Sequence, residues 1–278
     1  MGRHHDTLSF LSDYGTVDEF VGVVKSVVRT LAPHVTVVDV THDIAPHDVR
    51  AGSLALMRAA QYLAPGVVVA VVDPGVGTDR RAVAVEVADG DGVFVGPDNG
   101  LLAPAVSMTG GARRAVALTN PEYQLPMPGG PTFAGRDVFA PAAAHLCNGV
   151  DLYELGEPVD PASLLPSLLP LTTVENGVVH GQVLWVDRYG NVQLNVDPEE
   201  IAFIGDRLLV RWGAEGAHGS DANVRRAIRA RTYGDLDGAQ LGVIVDSYGL
   251  VSLAFDRRSA SAELKLRTGD AVALAAPS

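Results

Sequence analysis

Two acids and a pair of arginines are the residues of this chain best placed to do chemistry. Asp73 ends the apolar run 66–72 and opens the stretch VVDPGVGTDRR, which closes on Arg80 and Arg81. Asp13 follows a short apolar segment at 7–11 in the same way. A carboxylate held by an arginine stays ionised and can orient a water molecule between the two groups. Alternation along the next strand would send one of Arg80 and Arg81 inward and the other outward. Gly75 and Gly77 would let backbone approach a ligand closely. Aspartate is also a common turn and cap residue, so each acid has a purely structural reading as well.

Other chemistries find little support. None of the eight histidines forms a metal-binding pair: His4 and His5 are terminal, and His42 and His47 lie in a loop. His145 falls on a predicted helix, where a core or surface role is expected rather than metal ligation. There is no Gly-x-Ser-x-Gly elbow and no phosphate loop, and Gly75-Val76-Gly77 lacks the third glycine of a dinucleotide fingerprint. The residues point to an enzyme without a metal or a cofactor.

The elements that must position these acids are legible as an α/β pattern followed by a β pattern. Strands are expected at 7–11, 35–40, 66–72, 82–87 and 92–95. Thr16 and Glu19 have capping-box spacing ahead of a helix whose apolar face carries Phe20, Val23, Val24, Val27, Val28 and Leu31. Further helices are expected at 48–63 and 136–147. The run 66–72 is nearly all valine, as in a strand buried on both faces. Alternating strands and helices imply a parallel, Rossmann-like α/β layer structure, whose ligands bind beyond the carboxyl ends of the strands, where Asp13 and Asp73 lie.

Between Gly156 and Pro170 four prolines interrupt the pattern. The domain boundary is therefore placed here, giving domains 1–170 and 171–278. Beyond it, strands are expected at 178–187, 192–196, 207–212, 227–232, 241–245 and 250–255, with turns at Tyr189-Gly190-Asn191 and Tyr248-Gly249. This half reads as a small β-barrel or sandwich. No internal repeat stands out.

Composition narrows the functional classes. The chain has 278 residues, is 47% hydrophobic and carries a formal charge of −12. That is enough apolar material for a real core, and no basic stripe is available for nucleic acid. Cys147 is the single cysteine, so a disulfide framework is excluded and a reducing, cytoplasmic setting is expected. The N-terminus has no signal-type apolar core and no segment has the length to span a membrane.

Seven segments, taken together, carry a family resemblance. They are SFLSDYGTVDEFVGVVK (9–25), VVDVTHDIAPHDV (37–49), VVDPGVGTDRRAVAV (71–85), VGPDNGLL (95–102), TFAGRDVFAPAAAHL (132–146), WVDRYGNVQLN (185–195) and DSYGLVSLAF (246–255). In this order they resemble the S-adenosyl-L-methionine hydroxide adenosyltransferases, the SAM hydrolases, which are related to the fluorinase and chlorinase. The resemblance implies an α/β N-terminal domain, a C-terminal β-barrel, and a homotrimer in which the barrel of one subunit completes the site of another. It implies water or hydroxide attack at the ribose C5′ of SAM, giving adenosine and L-methionine. A sulfonium is already a good leaving group, so an aligned water in a desolvated pocket suffices.

By resemblance, Asp73 and Arg80 belong to an Asp–Arg–His triad that holds the water, which makes Arg80 the inward arginine. The triad histidine falls at Ala134, although Phe133, Gly135, Arg136 and Asp137 around it match the family segment. Whether the histidine was removed by substitution or lost by divergence, turnover is expected to be reduced, by roughly 10²-fold for a missing acid–base group. Asp13 is implied for the ribose hydroxyls, with Asp18, Phe133 and Gly135 near the substrate. Asp187 and Asn191 are implied for the amino-acid portion and Tyr189 for the adenine pocket. Ser247, Tyr248 and the region from Phe255 are implied to contact the methionine carboxylate and adenine, although FDRRSASAEL (255–264) departs from the usual Asn-containing form. Two other functions remain: a SAM- or adenosine-binding protein with negligible turnover, favoured by Ala134, and a SAM-dependent halogenase. The halogenases carry tyrosine at the Asp73 position, and a fixed carboxylate there would repel halide by on the order of several kcal/mol.

Overall fold

The computed structural model describes residues 2–87, 90–126, 129–167, 170–213 and 223–277. The chain divides into two compact units, Met1–Leu168 and Leu169–Ser278.

The first unit is built on seven strands: β1 (Thr7–Ser12), β2 (Thr36–Thr41), β3 (Gly66–Val71), β4 (Ala82–Val87), β5 (Gly92–Pro97), β6 (Ala112–Ala117) and β7 (Glu157–Val159). Their order is β2-β1-β3-β5-β4-β6-β7. The half β2-β1-β3-β5 is parallel, but β4, β6 and β7 pair antiparallel, so the sheet is mixed. The short connection from β4 to β5 leaves no room for a crossover helix, and a strand joined so tightly must return antiparallel.

Helices α1 (Phe20–Leu31), α2 (Val49–Ala60), α3 (Ala103–Met108) and α4 (Ala140–Cys147) cover the sheet. Val24 and Val28 of α1 and the alanines of α4 share one core with Phe10, Val67, Val69 and Val71. The intervening strand residues serve the other face, where α2 packs so closely that a Cβ on Gly52 would lie 2.9 Å from Val72 and from Leu101. This is why every residue of β3 is buried and why the strand is nearly all valine.

Besides the mixed sheet, three expectations are modified. The Thr16–Glu19 capping box does not form: α1 starts at Phe20, with Glu19 as an N-cap that makes no side-chain cap bond. The preceding residues are drawn into a turn instead, tied where the Gly15 N–H donates to the His42 carbonyl at 2.8 Å. The proline-rich stretch is not wholly linker, since β7 joins the first sheet through Pro158. As an edge strand it can spare the N–H that proline lacks. In the second unit, the strand expected at 227–232 runs earlier, over Asn223–Arg229.

The second unit contains β8 (Thr173–Glu175), β9 (Val178–Val186), β10 (Val192–Leu194), β11 (Arg207–Trp212), β12 (Asn223–Arg229), β13 (Leu241–Val245), β14 (Val251–Ala254) and β15 (Ala271–Ala275). The order β10-β14-β13-β12-β11-β15-β9 is closed by pairing of β9 with β10, giving a seven-stranded barrel with β8 added outside β9. Closure removes the sheet edges. The interior is aliphatic, including Val183, Val192, Leu208, Val210, Leu253 and Leu274, all fully buried.

Candidate active site

β1 and β3 are parallel neighbours, so their carboxyl ends deliver Asp13 and Asp73 side by side. The Asp13 N–H donates to the Val71 carbonyl at 3.3 Å, which ties the two loops together. Both acids line a cavity of about 600 Å³ with Tyr14, Phe20, His47, Phe133, Ala134 and Arg136.

After Asp73 the chain makes a tight turn, with Val76 N–H donating to the Asp73 carbonyl at 3.2 Å. Gly77 has φ +79 and lies against the Pro131 carbonyl, a combination that would strain any side chain there. The turn brings Arg80 back onto Asp73, with Nε 3.0 Å from Oδ1 and Nη2 2.5 Å from Oδ2. This bidentate pair is nearly dry, with side chains 12% and 6% exposed for Arg80 and Asp73. Arg80 also lies 5.5 Å from the Phe139 ring centroid. Arg81 faces the other way, its Nε 2.9 Å from Asp98 Oδ2.

Arg80 is the inward arginine, and burial acts on the Asp73 carboxylate alongside that pairing. Burial raises the Asp73 pKa above its ordinary value, and Arg80, the Gly75 N–H and the nearby Asp13 act as smaller influences. The outcome is a paired carboxylate that accepts a proton more readily than an exposed aspartate does.

Asp13 is held through Oδ2, which accepts the His47 N–H at 2.9 Å. His47 is one of few non-glycine residues at positive φ, +69. Tyr14 packs edge-on to Phe133 and beside Phe20, at 5.7 and 5.8 Å between ring centroids. Its hydroxyl, raised in pKa by burial and by Asp13 and Asp73, faces the Gly135 N–H. A Cβ on Gly135 would sit 2.3 Å from that hydroxyl, so glycine is required here by space. Asn99, from the stretch VGPDNGLL, donates through Nδ2 to the Val72 carbonyl at 2.9 Å and so fixes the backbone just before Asp73.

The barrel unit carries a second cavity, of about 590 Å³, lined by Asp187, Tyr189, Asn191, Ser247, Phe255 and Arg258 among others. Asp187 Oδ1 accepts the N–H groups of Tyr189 and Asn191 at 2.8 Å, and Oδ2 accepts Asn191 Nδ2 at 2.7 Å. The turn at Asp246 repeats the pattern, with Tyr248 and Leu250 N–H groups on its Oδ1. Asp-x-Tyr-Gly therefore occurs twice as the same hairpin device, a short repeat not evident when the sequence is scanned for long periods. Both aspartates hold their own turns, which aim Tyr189 and Ser247. Gly190, at φ +82, is pressed so closely on Ser259 that a Cβ would overlap its hydroxyl. Phe255 is covered by Arg225 and Arg258, at 4.7 and 5.5 Å from its ring.

The structure thus gathers Asp13, Asp73, Phe133 and Ala134 in one cavity, with Arg80 behind Asp73 and Gly135 behind Tyr14. It gathers Asp187, Tyr189, Asn191, Ser247 and Phe255 in the other. Asp18 is exposed and lines neither cavity, and Tyr248 lies next to the barrel cavity without lining it. Tyr14, Phe20, His47 and Arg136 were not assigned to the cavity beforehand, because such side chains give no local sign of the distant strand ends they will face. His145 packs edge-on against Tyr123 at 5.0 Å, and the described residues contain no His, Cys, Asp and Glu group fit for a metal.

Residues 8–156 match the SAM hydroxide adenosyltransferase N-terminal domain and residues 181–273 its C-terminal domain. An (R)-S-adenosyl-L-methionine hydrolase of Salinispora arenicola is 43% identical over 95% of both chains. That of Thermus thermophilus is 41% identical over 95% of this chain and 98% of its own. A fluorinase of Actinoplanes sp. is 26% identical over 94% and 95%. Among solved structures, an uncharacterized conserved protein from Thermotoga maritima superposes with a TM-score of 0.86 at 33% identity, covering 96% of this chain and 99% of that one. Motif order, fold and whole-length similarity agree, and the chain belongs to the SAM hydroxide adenosyltransferase family.

Proposed function

We propose that this protein hydrolyses S-adenosyl-L-methionine to adenosine and L-methionine. The observation that carries the reading is the dry, bidentate Asp73–Arg80 pair at the floor of a cavity that also holds Asp13. A water bound at Asp73 attacks C5′ of the ribose. The new O–C5′ bond forms as the C5′–S bond breaks, its electron pair going to the methionine sulfur. The water's proton passes to the Asp73 carboxylate, which burial has made more basic, and then to solvent. Arg80 fixes the carboxylate in place, and Asp13 takes the ribose hydroxyls, since a carboxylate can accept two such bonds.

No metal or cofactor enters this scheme, because the sulfonium supplies the leaving group. Asp187, Asn191, Tyr189, Ser247 and Phe255 line a cavity suited to the amino-acid and adenine portions, and its place in the reaction is completion of the site from another copy in a homotrimer. The lone, buried Cys147 suits a cytoplasmic enzyme, and no helix among the described residues is long and apolar enough to cross a membrane.

Ala134 favours a second reading, that of a SAM-binding protein with negligible turnover, because an alanine cannot exchange protons at the cavity wall. Incubation with SAM in chloride buffer and separation of the products decides between them. Adenosine plus methionine supports hydrolysis, unchanged bound SAM supports the binder, and a halo-nucleoside would overturn both.

A further inference from the structure

Behind the Asp13 loop runs a chain of side chains that the scheme above does not use. Ser12, the last residue of β1, is fully buried. Its Oγ accepts the Tyr14 N–H at 3.3 Å and lies 2.8 Å from His42 Nδ1. His42 Nε2 lies 3.2 Å from Asp39 Oδ1, and Asp39 Oδ2 accepts from Lys25 Nζ at 2.8 Å.

The hydrogen-bond directions are mutually consistent. An ionised Asp39 can only accept, so the neutral imidazole faces it with Nε2–H, and Nδ1 is left to accept the Ser12 hydroxyl proton. The Phe10 ring, 4.7 Å away and edge-on, holds the imidazole plane. A Ser–His–Asp series invites comparison with a nucleophilic triad, but Ser12 has no exposed surface through which a substrate could reach it.

What the series does touch is the turn that carries Asp13. The His42 side chain reaches Tyr14 through Ser12, and the His42 carbonyl accepts the Gly15 N–H at 2.8 Å. Five residues on, the His47 N–H grips Asp13 Oδ2. The segment from Asp39 to His47 therefore holds the turn by a side chain, by a carbonyl and by an N–H on the functional carboxylate itself.

We propose that His42 is a positioning residue, locking the Asp13–Gly15 turn in the conformation from which Asp13 takes the ribose hydroxyls. This rests on the assignment of Asp13 to the ribose. Without the Ser12–His42 bond, the Tyr14 amide loses a fixed acceptor and Asp13 samples orientations that do not bind a diol.

The test compares adenosine with 2′,3′-dideoxyadenosine by calorimetry on the full-length chain, together with amide exchange at Tyr14 and Gly15. For the protein itself, adenosine should bind more tightly than the dideoxynucleoside. In His42→Leu that preference should fall about tenfold while dideoxyadenosine affinity holds, and both amides should exchange faster. His42→Asn, whose amide can sit near the Nδ1 position, should keep most of the preference. Full retention of the preference with protected amides in His42→Leu overturns the proposal, as does equal loss of both nucleosides. If the unaltered protein shows no preference, the ribose assignment fails, and amide exchange still decides whether His42 holds the turn. Should His42→Leu not fold, Ser12→Ala carries the same test, and an undiminished preference there overturns the proposal.

Discussion

Gly135→Ala is the substitution whose consequence the structure defines most sharply. The backbone at Gly135 is not in the left-handed region, so an alanine there is opposed by space alone. The added Cβ would lie 2.3 Å from the Tyr14 hydroxyl oxygen and 3.1 Å from two of its ring carbons. Relief requires Tyr14 to retreat by roughly an ångström. Its ring is boxed in by Phe10, Phe20 and Phe133, at centroid distances of 6.4, 5.8 and 5.7 Å. Overpacking of this kind costs about 1–3 kcal/mol, and a buried hydroxyl pushed off its N–H partner adds about 1–3 kcal/mol. The expected loss is ~2–6 kcal/mol, read as a lowered denaturation midpoint followed by circular dichroism. Because Tyr14 adjoins Asp13, SAM affinity should fall as well. Tyr14→Phe removes the oxygen nearest the new methyl, so Tyr14→Phe/Gly135→Ala should regain about half of the loss. A Gly135→Ala protein of unchanged stability, or strictly additive effects in the double variant, would refute the reasoning.

Three further outcomes are expected. Ala134→His should raise SAM hydrolysis by roughly 10²-fold, and an unchanged rate would remove position 134 from the reaction. Arg80→Ala strands a buried carboxylate and should cost about 3 kcal/mol or more of stability and most of the turnover. Arg81→Ala leaves Asp98 buried, with its side chain 4% exposed, so it should also lower stability but retain turnover, because Arg81 and Asp98 do not line the Asp13–Asp73 cavity; a comparable loss of turnover from both would contradict the inward–outward division. His5 and His145 have pKa values lowered by burial, with Arg3 adding to the effect at His5. Their unfolded forms hold protons more tightly, so stability is present above about pH 6.5 and is lost as pH falls through the lowered folded values. Melting temperatures measured from pH 7.5 to 5 should therefore decline, and His145→Gln should flatten the slope. An unaltered slope would show that His145 titrates alike in both states.

Much of this molecule is written locally. The valine run of β3, the Asp48 cap of α2, whose carboxylate accepts the Ala51 N–H at 2.8 Å, and the Asp-x-Tyr-Gly hairpins depend on residues close in the chain. Such features follow from backbone geometry and side-chain reach. The position of Asp13 and Asp73 at strand ends was legible for the same reason, and motif order added the barrel and the chemistry.

Other features needed the assembled fold. Antiparallel pairing of β4 made the sheet mixed, and Pro158 found a place on an edge strand that a proline-rich stretch does not advertise. Tertiary competition for the loop at Gly15 defeated a capping box with correct spacing. The balance at Asp73 was also beyond the linear text, because desolvation depends on everything packed around the carboxylate and outweighs the arginine seven residues away. The residue types and their spacing determined which groups were available for chemistry. Only the tertiary structure decided which of them meet, because the contacts that aim Asp13, from Ser12, His42 and His47, join segments some thirty residues apart, and no local propensity encodes such a meeting.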